Sequence, residues 1–277
     1  MNMENKLVFA NTCLFGAAKF PMIKDYIEKY GEAIGFEILS MFDLEGFEAE
    51  LSRATDALSS VPISFHGPVY CAEHSAPKGS AEYEETMYHV KKTFHYARLL
   101  KSRHFTMHLN NREVPAEEKE TMLKNALENY KELQEMFADF GCAIYVENTG
   151  TIEQRNMLLD QAEFTDLCRR EKFDVLIDIG HANANGWDIE KLVCDLAGQI
   201  KAYHLHNNDG RRDLHNRILD GIIPFQSVMG TILSKTPDAE LIIEYIRPEF
   251  AQTALFEDIE KVQSIVKSQT KADRQRG

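Results

Sequence analysis

The chain has 277 residues, of which 44% are hydrophobic and 27% are charged, and its formal net charge is −13. That length is sufficient for one large core, since a single (β/α)₈ barrel takes roughly 250 residues. A surface this acidic repels phosphate backbones unless the basic residues are gathered in one groove, so the composition weighs against nucleic acid as a partner.

Cysteine usage and the pattern of apolar residues indicate where the protein works. The five cysteines are scattered, odd in number and form no C-x-x-C pair, which is typical of reduced thiols in the cytoplasm. The first residues lack the pattern of a signal peptide, and no apolar run approaches the ~20 residues that a membrane span needs. We therefore expect a cytoplasmic protein without membrane contact. A homo-oligomer is compatible with the sequence, which does not fix the oligomeric state.

Short apolar segments alternate with longer amphipathic segments along the whole chain. Eight short segments have the composition of buried parallel strands, and they cover residues 7–11, 36–41, 63–67, 105–110, 143–148, 175–180, 202–207 and 241–245. Apolar residues recur at helical spacing in the remaining segments, which predicts helices near residues 20–30, 47–57, 80–100, 116–140, 161–170, 188–197, 224–234 and 253–267. The polar stretch at residues 268–277 predicts a frayed tail.

Eight strands that alternate with eight helices predict an α/β protein with a parallel sheet, either closed or open. Eight units favour the closed barrel, and the segment after the first strand, NTCLFGAAKF, lacks the G-x-G-x-x-G of a Rossmann sheet. No Gly/Ser/Pro-rich linker interrupts the pattern. We therefore predict a single (β/α)₈ TIM barrel domain over residues 1–277. Its active site should lie at the C-terminal ends of the strands, the face that carries the chemistry in such barrels.

The third to the eighth predicted strands each carry a side chain that can bind a metal at or near the C-terminal end. These side chains are His66, His108, Glu147, Asp178, His206 and Glu244. One such residue alone is more often a hydrogen-bonded rim residue, but six in corresponding places are harder to explain in that way. Three buried carboxylates side by side repel one another, and a divalent cation removes that conflict. Mixed imidazole and carboxylate ligands suit Zn²⁺, Mn²⁺, Fe²⁺ or Co²⁺ better than Ca²⁺ or Mg²⁺.

Two motifs add candidates around the same strand ends. In the stretch LIDIGHANANG, Asp178 and His181 lie three residues apart across a predicted strand-to-loop turn, so that both can point into one site. In the stretch YHLHNNDGRRDLH, His204 and His206 share one face of a strand because side chains alternate. A D-x-H pair follows in the next loop, at residues 213–215.

At these motifs the chain resembles the xylose isomerase-like barrel superfamily. That superfamily contains sugar and sugar-phosphate isomerases and epimerases, and also endonuclease IV-type abasic-site nucleases. The resemblance covers nearly the whole chain, from the first strand to the last. It implies that one divalent metal is held as in the ketose epimerases, at intervals of 31, 28 and 38 residues, by Glu147, Asp178, His206 and Glu244. It further implies that His181 and Arg212 contact the substrate. If one metal is bound, we expect His66 and His108 to contact the substrate as well.

The nuclease branch of the superfamily resembles the chain as well. Its three-zinc cluster uses nine positions, and all nine have a counterpart here. Up to three metal ions are therefore compatible with the chain, and the additional ligands would be His66, His108, His181, Asp213 and His215. Many uncharacterised isomerase-like members keep these histidines too, so the ligand set is compatible with both branches.

The first hypothesis is a metal-dependent sugar or sugar-phosphate isomerase or epimerase, in which Glu147 and Glu244 transfer a proton through an enediolate. The alternative is an endonuclease IV-type abasic-site nuclease with a multinuclear zinc cluster, which predicts a basic rim and apolar side chains that enter the duplex. The acidic composition favours the first. A third hypothesis, a non-catalytic barrel that keeps the metal pocket, has no need of two facing carboxylates. The expected partner is a small-molecule sugar.

Overall fold

Eight parallel strands close into a barrel in the computed structural model, which describes residues 7–15, 20–246 and 252–274. Each strand pairs with its successor in the chain, and the eighth pairs with the first. The strands are β1 (Val8–Asn11), β2 (Ile34–Leu39), β3 (Ile63–His66), β4 (His104–Met107), β5 (Ala143–Glu147), β6 (Asp174–Asp178), β7 (Ile200–Leu205) and β8 (Glu240–Ile243). The predicted (β/α)₈ barrel is confirmed.

Within the described residues, helices connect every pair of successive strands and one follows the last strand. They are α1 (Ile23–Tyr30), α2 (Phe47–Leu58), α3 (Ala81–Leu99), α4 (Lys119–Ala138), α5 (Gln161–Glu171), α6 (Ile179–Ala184), α7 (Ile189–Leu196), α8 (Phe225–Lys235) and α9 (Gln252–Arg274). Their apolar faces explain their positions outside the barrel. In α7, for example, the buried residues recur at three- to four-residue spacing and form one stripe, Ile189, Leu192, Val193 and Leu196.

Most strands end one to three residues earlier than the sequence predicts. At the end of β6 the reason is visible, because Asp178 Oδ1 accepts a hydrogen bond of 2.6 Å from the backbone N–H of His181 and caps α6. An aspartate at this position satisfies an N–H group that the first helical turn leaves without a partner. The predicted strand-to-loop turn after Asp178 was therefore wrong, and the chain enters a helix at Ile179.

Alternate side chains of the strands point into the barrel, and they divide its interior into two layers. The layer nearer the N-terminal ends is a small apolar cluster, Phe9, Leu176, Ala202 and Ile242. The next layer is polar, because Glu37, Thr106 and His204 are wholly buried there. Thr106 Oγ1 and His204 Nε2 both contact the Glu37 carboxylate, each at 2.8 Å. The barrel thus places a polar floor beneath the C-terminal ends of its strands.

The last helix reaches into the segment that the sequence marks as a tail. It continues to Arg274, so most of the polar stretch from residue 268 is helical, and residues 275–277 lie outside the described part. Across residues 7–15, 20–246 and 252–274, no helix combines the length and the apolar character that crossing a membrane takes.

A buried acid, Asp258 of α9, anchors the loop after β7. Its Oδ2 atom accepts hydrogen bonds from Arg217 Nε at 2.8 Å and from the Tyr245 hydroxyl at 2.9 Å. The same hydroxyl accepts a hydrogen bond of 2.9 Å from the backbone N–H of Ile218. These contacts join the loop, the end of β8 and α9, and they hold the segment that carries the D-x-H pair at residues 213–215.

Replacing Asp258 with alanine removes the shared acceptor and leaves a guanidinium and a hydroxyl without their buried partner. We expect Asp258→Ala to lower the free energy of unfolding by about 2 kcal/mol, the range for hydrogen bonds to a charged group. Glu257→Ala is the matched control, because Glu257 pairs with the same guanidinium but is 67% exposed. Its loss should stay below about 0.5 kcal/mol. Urea denaturation measures both, and equal losses would contradict the anchoring role of Asp258.

Candidate metal centre

The six predicted strand-end side chains meet at one end of the barrel. They occupy the last residue of β3, β5 and β6 and the residue directly after β4, β7 and β8, in the order His66, Glu147, Asp178, His108, His206 and Glu244. All are buried except His108, whose side chain keeps 12% of its surface exposed. Parallel strands that close into a barrel converge at these ends, which brings residues up to 178 positions apart in sequence into contact range.

Glu147 lies at the centre of the first group. Its Oε2 atom is 3.0 Å from His108 Nε2 and 3.4 Å from His66 Nε2. The other ring nitrogens of both histidines face oxygen acceptors, since His66 Nδ1 lies 2.9 Å from the Gly67 carbonyl and His108 Nδ1 lies 2.7 Å from Asn111 Oδ1. A nitrogen that donates to such an acceptor leaves the opposite nitrogen free to ligate a metal. The Nε2 atoms of both imidazoles therefore point towards Glu147 and are free to bind a metal beside it.

Asp178, His206 and Glu244 continue the cluster on another side. His206 Nε2 is 2.9 Å from Asp178 Oδ2, and Glu244 Oε1 accepts a hydrogen bond of 3.0 Å from Asn11 Nδ2. The His206 ring lies directly against the backbone of Gly180 at the start of α6. A Cβ atom at Gly180 would be 1.9 Å from the ring's Cε1 atom, so only glycine leaves room for this imidazole.

A third group forms on the loop after β7. Asp213 Oδ2 is 3.3 Å from His181 Nε2 and 3.1 Å from His215 Nε2. His181 Nδ1 in turn is 3.2 Å from Glu147 Oε1, so this group joins the first one. The rings of His215 and His206 stack with centroids 3.9 Å apart. The structure thus brings eight predicted histidines and carboxylates together with Glu147 in a single cluster.

Two buried residues of the centre, His204 and Glu37, are not assigned a metal or substrate role by the sequence. His204 Nδ1 is 3.2 Å from Glu244 Oε2 and 3.4 Å from Glu147 Oε1, and its other ring nitrogen contacts Glu37. The sequence does contain a signal for His204, because strand alternation places it on the same face as His206. The signal for Glu37 is a carboxylate inside the apolar run of β2, whose burial requires a partner.

Arg212, the predicted substrate contact, is not brought to this cluster. Its side chain is 59% exposed, and its guanidinium pairs with Asp209 Oδ2 at 2.7 Å. The local loop explains the pairing, because Asp209 Oδ1 also accepts the backbone N–H groups of residues 211 and 212. A role of Arg212 towards the substrate stays a prediction and requires the side chain to leave Asp209.

The electrostatics of the centre follow from buried carboxylates that face imidazoles. Burial acts to raise the pKa of Glu147, but the adjacent His204 and His108 hold the pKa of that carboxyl well below its usual range. Burial acts to lower the pKa of His215, but the Asp213 carboxylate raises it to about 9. Positive charge on the imidazoles therefore balances the carboxylates when only protons are bound.

The donor atoms fit a divalent metal. In the described part of the chain, five buried atoms at the centre make no hydrogen bond, which are Glu147 Oε1, His181 Nδ1, His204 Nδ1, His206 Nδ1 and Asp213 Oδ1. Among the residues that the structure describes, five sets of three have ligand atoms that all lie within 4.8 Å of one another, and three of these sets include Glu147 or Asp213. Imidazole nitrogens mixed with carboxylate oxygens are the donors that zinc, manganese, iron and cobalt share, so they do not select one metal.

Comparison with known proteins places the chain among barrels of one kind. A family model described as a xylose isomerase-like TIM barrel matches residues 25–265. No curated protein matches the chain. Among solved structures, a D-tagatose 3-epimerase-like protein has a TM-score of 0.76 at 18% identity, over 98% of this chain and 99% of its own.

Two further solved structures share the fold. An IOLI protein with a bound zinc atom has a TM-score of 0.74 at 16% identity, over 95% of this chain and 98% of its own. A family 2 AP endonuclease from Brucella melitensis has a TM-score of 0.67 at 18% identity, over 90% of this chain and 99% of its own. At these identities the likeness is one of fold.

Gly180→Ala tests whether His206 needs its close approach to the backbone. The added methyl group would displace the imidazole, because the Gly180 carbonyl is fixed by a hydrogen bond of 2.8 Å from Asn208 Nδ2. We expect metal affinity to fall by about 10-fold or more, as for other changes that misorient a ligand. Gly230→Ala in α8 is the control, because no atom lies within 4 Å of its added Cβ. Competition with a chromophoric chelator measures both affinities, and similar values would refute the packing argument.

Metal binding should release protons at neutral pH. The raised pKa of His215, about 9, means that the metal-free protein keeps this imidazole protonated until the pH passes that value. The His215 ring stacks on that of His206, so its positive charge opposes a cation bound beside His206, and metal and proton compete. Apparent affinity should therefore rise as the pH increases from 6 to 9. Calorimetry in two buffers of different ionisation enthalpy counts the released protons, and an affinity that does not change with pH would contradict the assignment.

Proposed function

The chain belongs to the xylose isomerase-like TIM barrel family, and we propose that it is a divalent-metal-dependent isomerase or epimerase of a sugar or sugar phosphate. One observation carries the proposal: two buried carboxylates reach the same point from strands that are not neighbours. Glu147 is the last residue of β5, and Glu244 directly follows β8. Glu147 Oε1 lies 3.4 Å and Glu244 Oε2 lies 3.2 Å from the same nitrogen, His204 Nδ1. A substrate carbon placed above that point lies between two proton acceptors.

The chemistry of such a pair is proton transfer next to a carbonyl. A bound divalent metal supplies a Lewis acid that makes the C–H beside the carbonyl more acidic. One carboxyl of the pair, Glu147 or Glu244, would start ionised and accept that proton, which leaves an enediolate. The other would start protonated and give its own proton to the opposite face or to the neighbouring carbon, and exchange with solvent would then restore the first protonation state. Return to the opposite face is epimerisation, and return to the neighbouring carbon is isomerisation. The low pKa of Glu147 supports the proposal because it keeps this carboxyl ionised.

The remaining residues have binding roles in this proposal. Asp178 and His206 serve as metal ligands and do not transfer protons. His66, His108 and His181 surround the carboxylates and can donate hydrogen bonds to substrate hydroxyls. Sugars present many hydroxyls, so a site lined by imidazoles and amides suits them. The similar fold of an epimerase-like protein agrees with this class of substrate.

A second candidate is supported by a specific observation. Besides the four predicted ligands Glu147, Asp178, His206 and Glu244, two further sets have ligand geometry. One consists of His66 and His108 with Glu147, and the other consists of residues 181, 213 and 215. Two or three metal ions bound there would suit hydrolysis of a phosphate ester through a metal-activated hydroxide. The net charge of −13 counts against a nucleic acid backbone as the ester. The family 2 AP endonuclease shares the fold and leaves this the alternative.

Glu147→Gln and Glu244→Gln should separate proton transfer from folding. Glutamine keeps the size of the side chain but cannot accept a proton, so we expect turnover to fall by about 10²-fold or more. Glu240→Gln is the control, because Glu240 lies in the same barrel but pairs with Arg103 at the opposite end of β8. It should leave turnover unchanged. Wild-type turnover in both site variants would show that the two carboxylates are not the proton-transfer pair.

A paired assay distinguishes the two candidates. The protein is offered a panel of ketoses and ketose phosphates and, separately, a duplex with one abasic site, while the metal content per chain is measured by mass spectrometry. We expect exchange of deuterium from solvent into a sugar and about one metal per chain. Nicking of the duplex well above a metal-stripped control, with two or three metals per chain, would instead establish the phosphoesterase.

A further inference from the structure

The H-x-H motif of β7 contains an imidazole that the proposed function leaves without a role. His204 is wholly buried and lies one layer deeper in the barrel than His206. Its Nδ1 atom faces three carboxylates at once, with Glu244 Oε2 at 3.2 Å, Glu147 Oε1 at 3.4 Å and Asp178 Oδ2 at 3.8 Å. Each of these carboxylates comes from a different strand, so the nitrogen lies at the centre of the acidic cluster.

The opposite ring nitrogen of His204 is held by Glu37. His204 Nε2 lies 2.8 Å from Glu37 Oε2, and the same carboxylate accepts hydrogen bonds of 2.8 Å from Asn11 Nδ2 and from Thr106 Oγ1. An ionised carboxylate can only accept hydrogen bonds, so His204 Nε2 must be the donor. When His204 is neutral, its lone pair is consequently on Nδ1.

In a neutral His204 this lone pair points at three carboxylates, which is favourable only if a cation lies among them. Without a metal, a proton on Nδ1 takes that place. A carboxylate behind the far nitrogen of a histidine is also the arrangement by which proteins fix the tautomer of a metal ligand. We infer that His204 Nδ1 is a ligand of the metal centre and that Glu37 is the positioning residue that fixes its tautomer. The inference rests on the metal-dependent function proposed above.

This assignment determines how the metal is exposed. His204 approaches from inside the barrel, and the polar layer of Glu37 and Thr106 closes the space beneath it. With His204 beneath it, a bound metal would be open to substrate from the C-terminal side of the barrel. Asp178 and Glu244 would be further ligands.

His104 provides a control inside the same barrel. Like His204 it is wholly buried, and it also approaches Glu37, with Nε2 3.6 Å from Oε1. Its other nitrogen, however, faces Glu240 at 3.3 Å and not the acidic cluster. A variant at His104 therefore perturbs the packing of the interior without removing a nitrogen from the metal centre.

The test measures the affinity of Zn²⁺ and the visible spectrum of Co²⁺ in the full chain and its variants. His204→Gly should weaken binding by about 10- to 100-fold, and millimolar imidazole should restore affinity and spectrum by occupying the space left by the ring. His104→Gln should leave the affinity within about twofold of the wild type, since its ring does not face the metal. Glu37→Gln should change the Co²⁺ spectrum, because a carboxamide is a weaker partner for His204 Nε2 than a carboxylate.

Each outcome decides a separate point. Wild-type affinity and spectrum in His204→Gly would overturn the inference and leave the proposed function intact. A loss of affinity that imidazole does not restore, with an unchanged spectrum in Glu37→Gln, would assign His204 a structural role and also overturn it. If His204→Gly does not fold, Glu37→Gln keeps every ring in place and the spectrum decides. Absence of tight Zn²⁺ binding by the wild type would instead refute the proposed function itself.

Discussion

The burial of three carboxylates at one end of a barrel is the constraint on which the rest of the centre depends. Glu147, Asp178 and Glu244 are almost completely withdrawn from water, where unpaired negative charges cost several kcal/mol each. Positive charge must therefore reach them. Burial acts to lower the pKa of His181, His204 and His215, but the adjacent carboxylates raise it, so that protonated imidazoles can supply that charge. A divalent cation would supply it in their place, and its binding would then displace protons.

The barrel makes this concentration of charge tolerable. Its strands carry apolar side chains outward, where the helices cover them, and only the inward-facing positions are free to be polar. Those positions form a hydrogen-bonded floor in which Glu37 accepts from three different strands. Movement of the Glu37 carboxylate would break these three buried hydrogen bonds, so the network resists displacement. The carboxylates above the floor are thus held at fixed separations, as proton transfer between defined carbon positions requires.

Sequence reasoning could reach the barrel and most of the centre because both depend on local patterns. The alternation of short apolar and amphipathic segments indicated the strand order, and polar residues at strand ends indicated the cluster. Contacts across the barrel were beyond its reach. Glu37 and His204 are 167 positions apart in sequence, and their contact depends on the stagger of strands that are not neighbours. The helix cap at Asp178 could not be predicted for another reason. The sequence indicates a metal-binding role for this carboxylate, and only the structure shows that its Oδ1 atom also caps a helix.

Glu147 would decide between the two candidate functions proposed above. One of its oxygens faces His66 and His108, and the other faces His181 and His204. If metal ions filled the outer groups as well as the centre, both oxygens would be bound and neither could accept a proton. If a single ion is held between Glu147 Oε1 and the residues of β6 to β8, Oε2 stays off the metal beside His108. Proton transfer therefore requires that the first group stays free of metal, whereas hydrolysis by a cluster requires that it is filled. The number of ions bound around this one carboxylate is what links the geometry of the centre to its reaction.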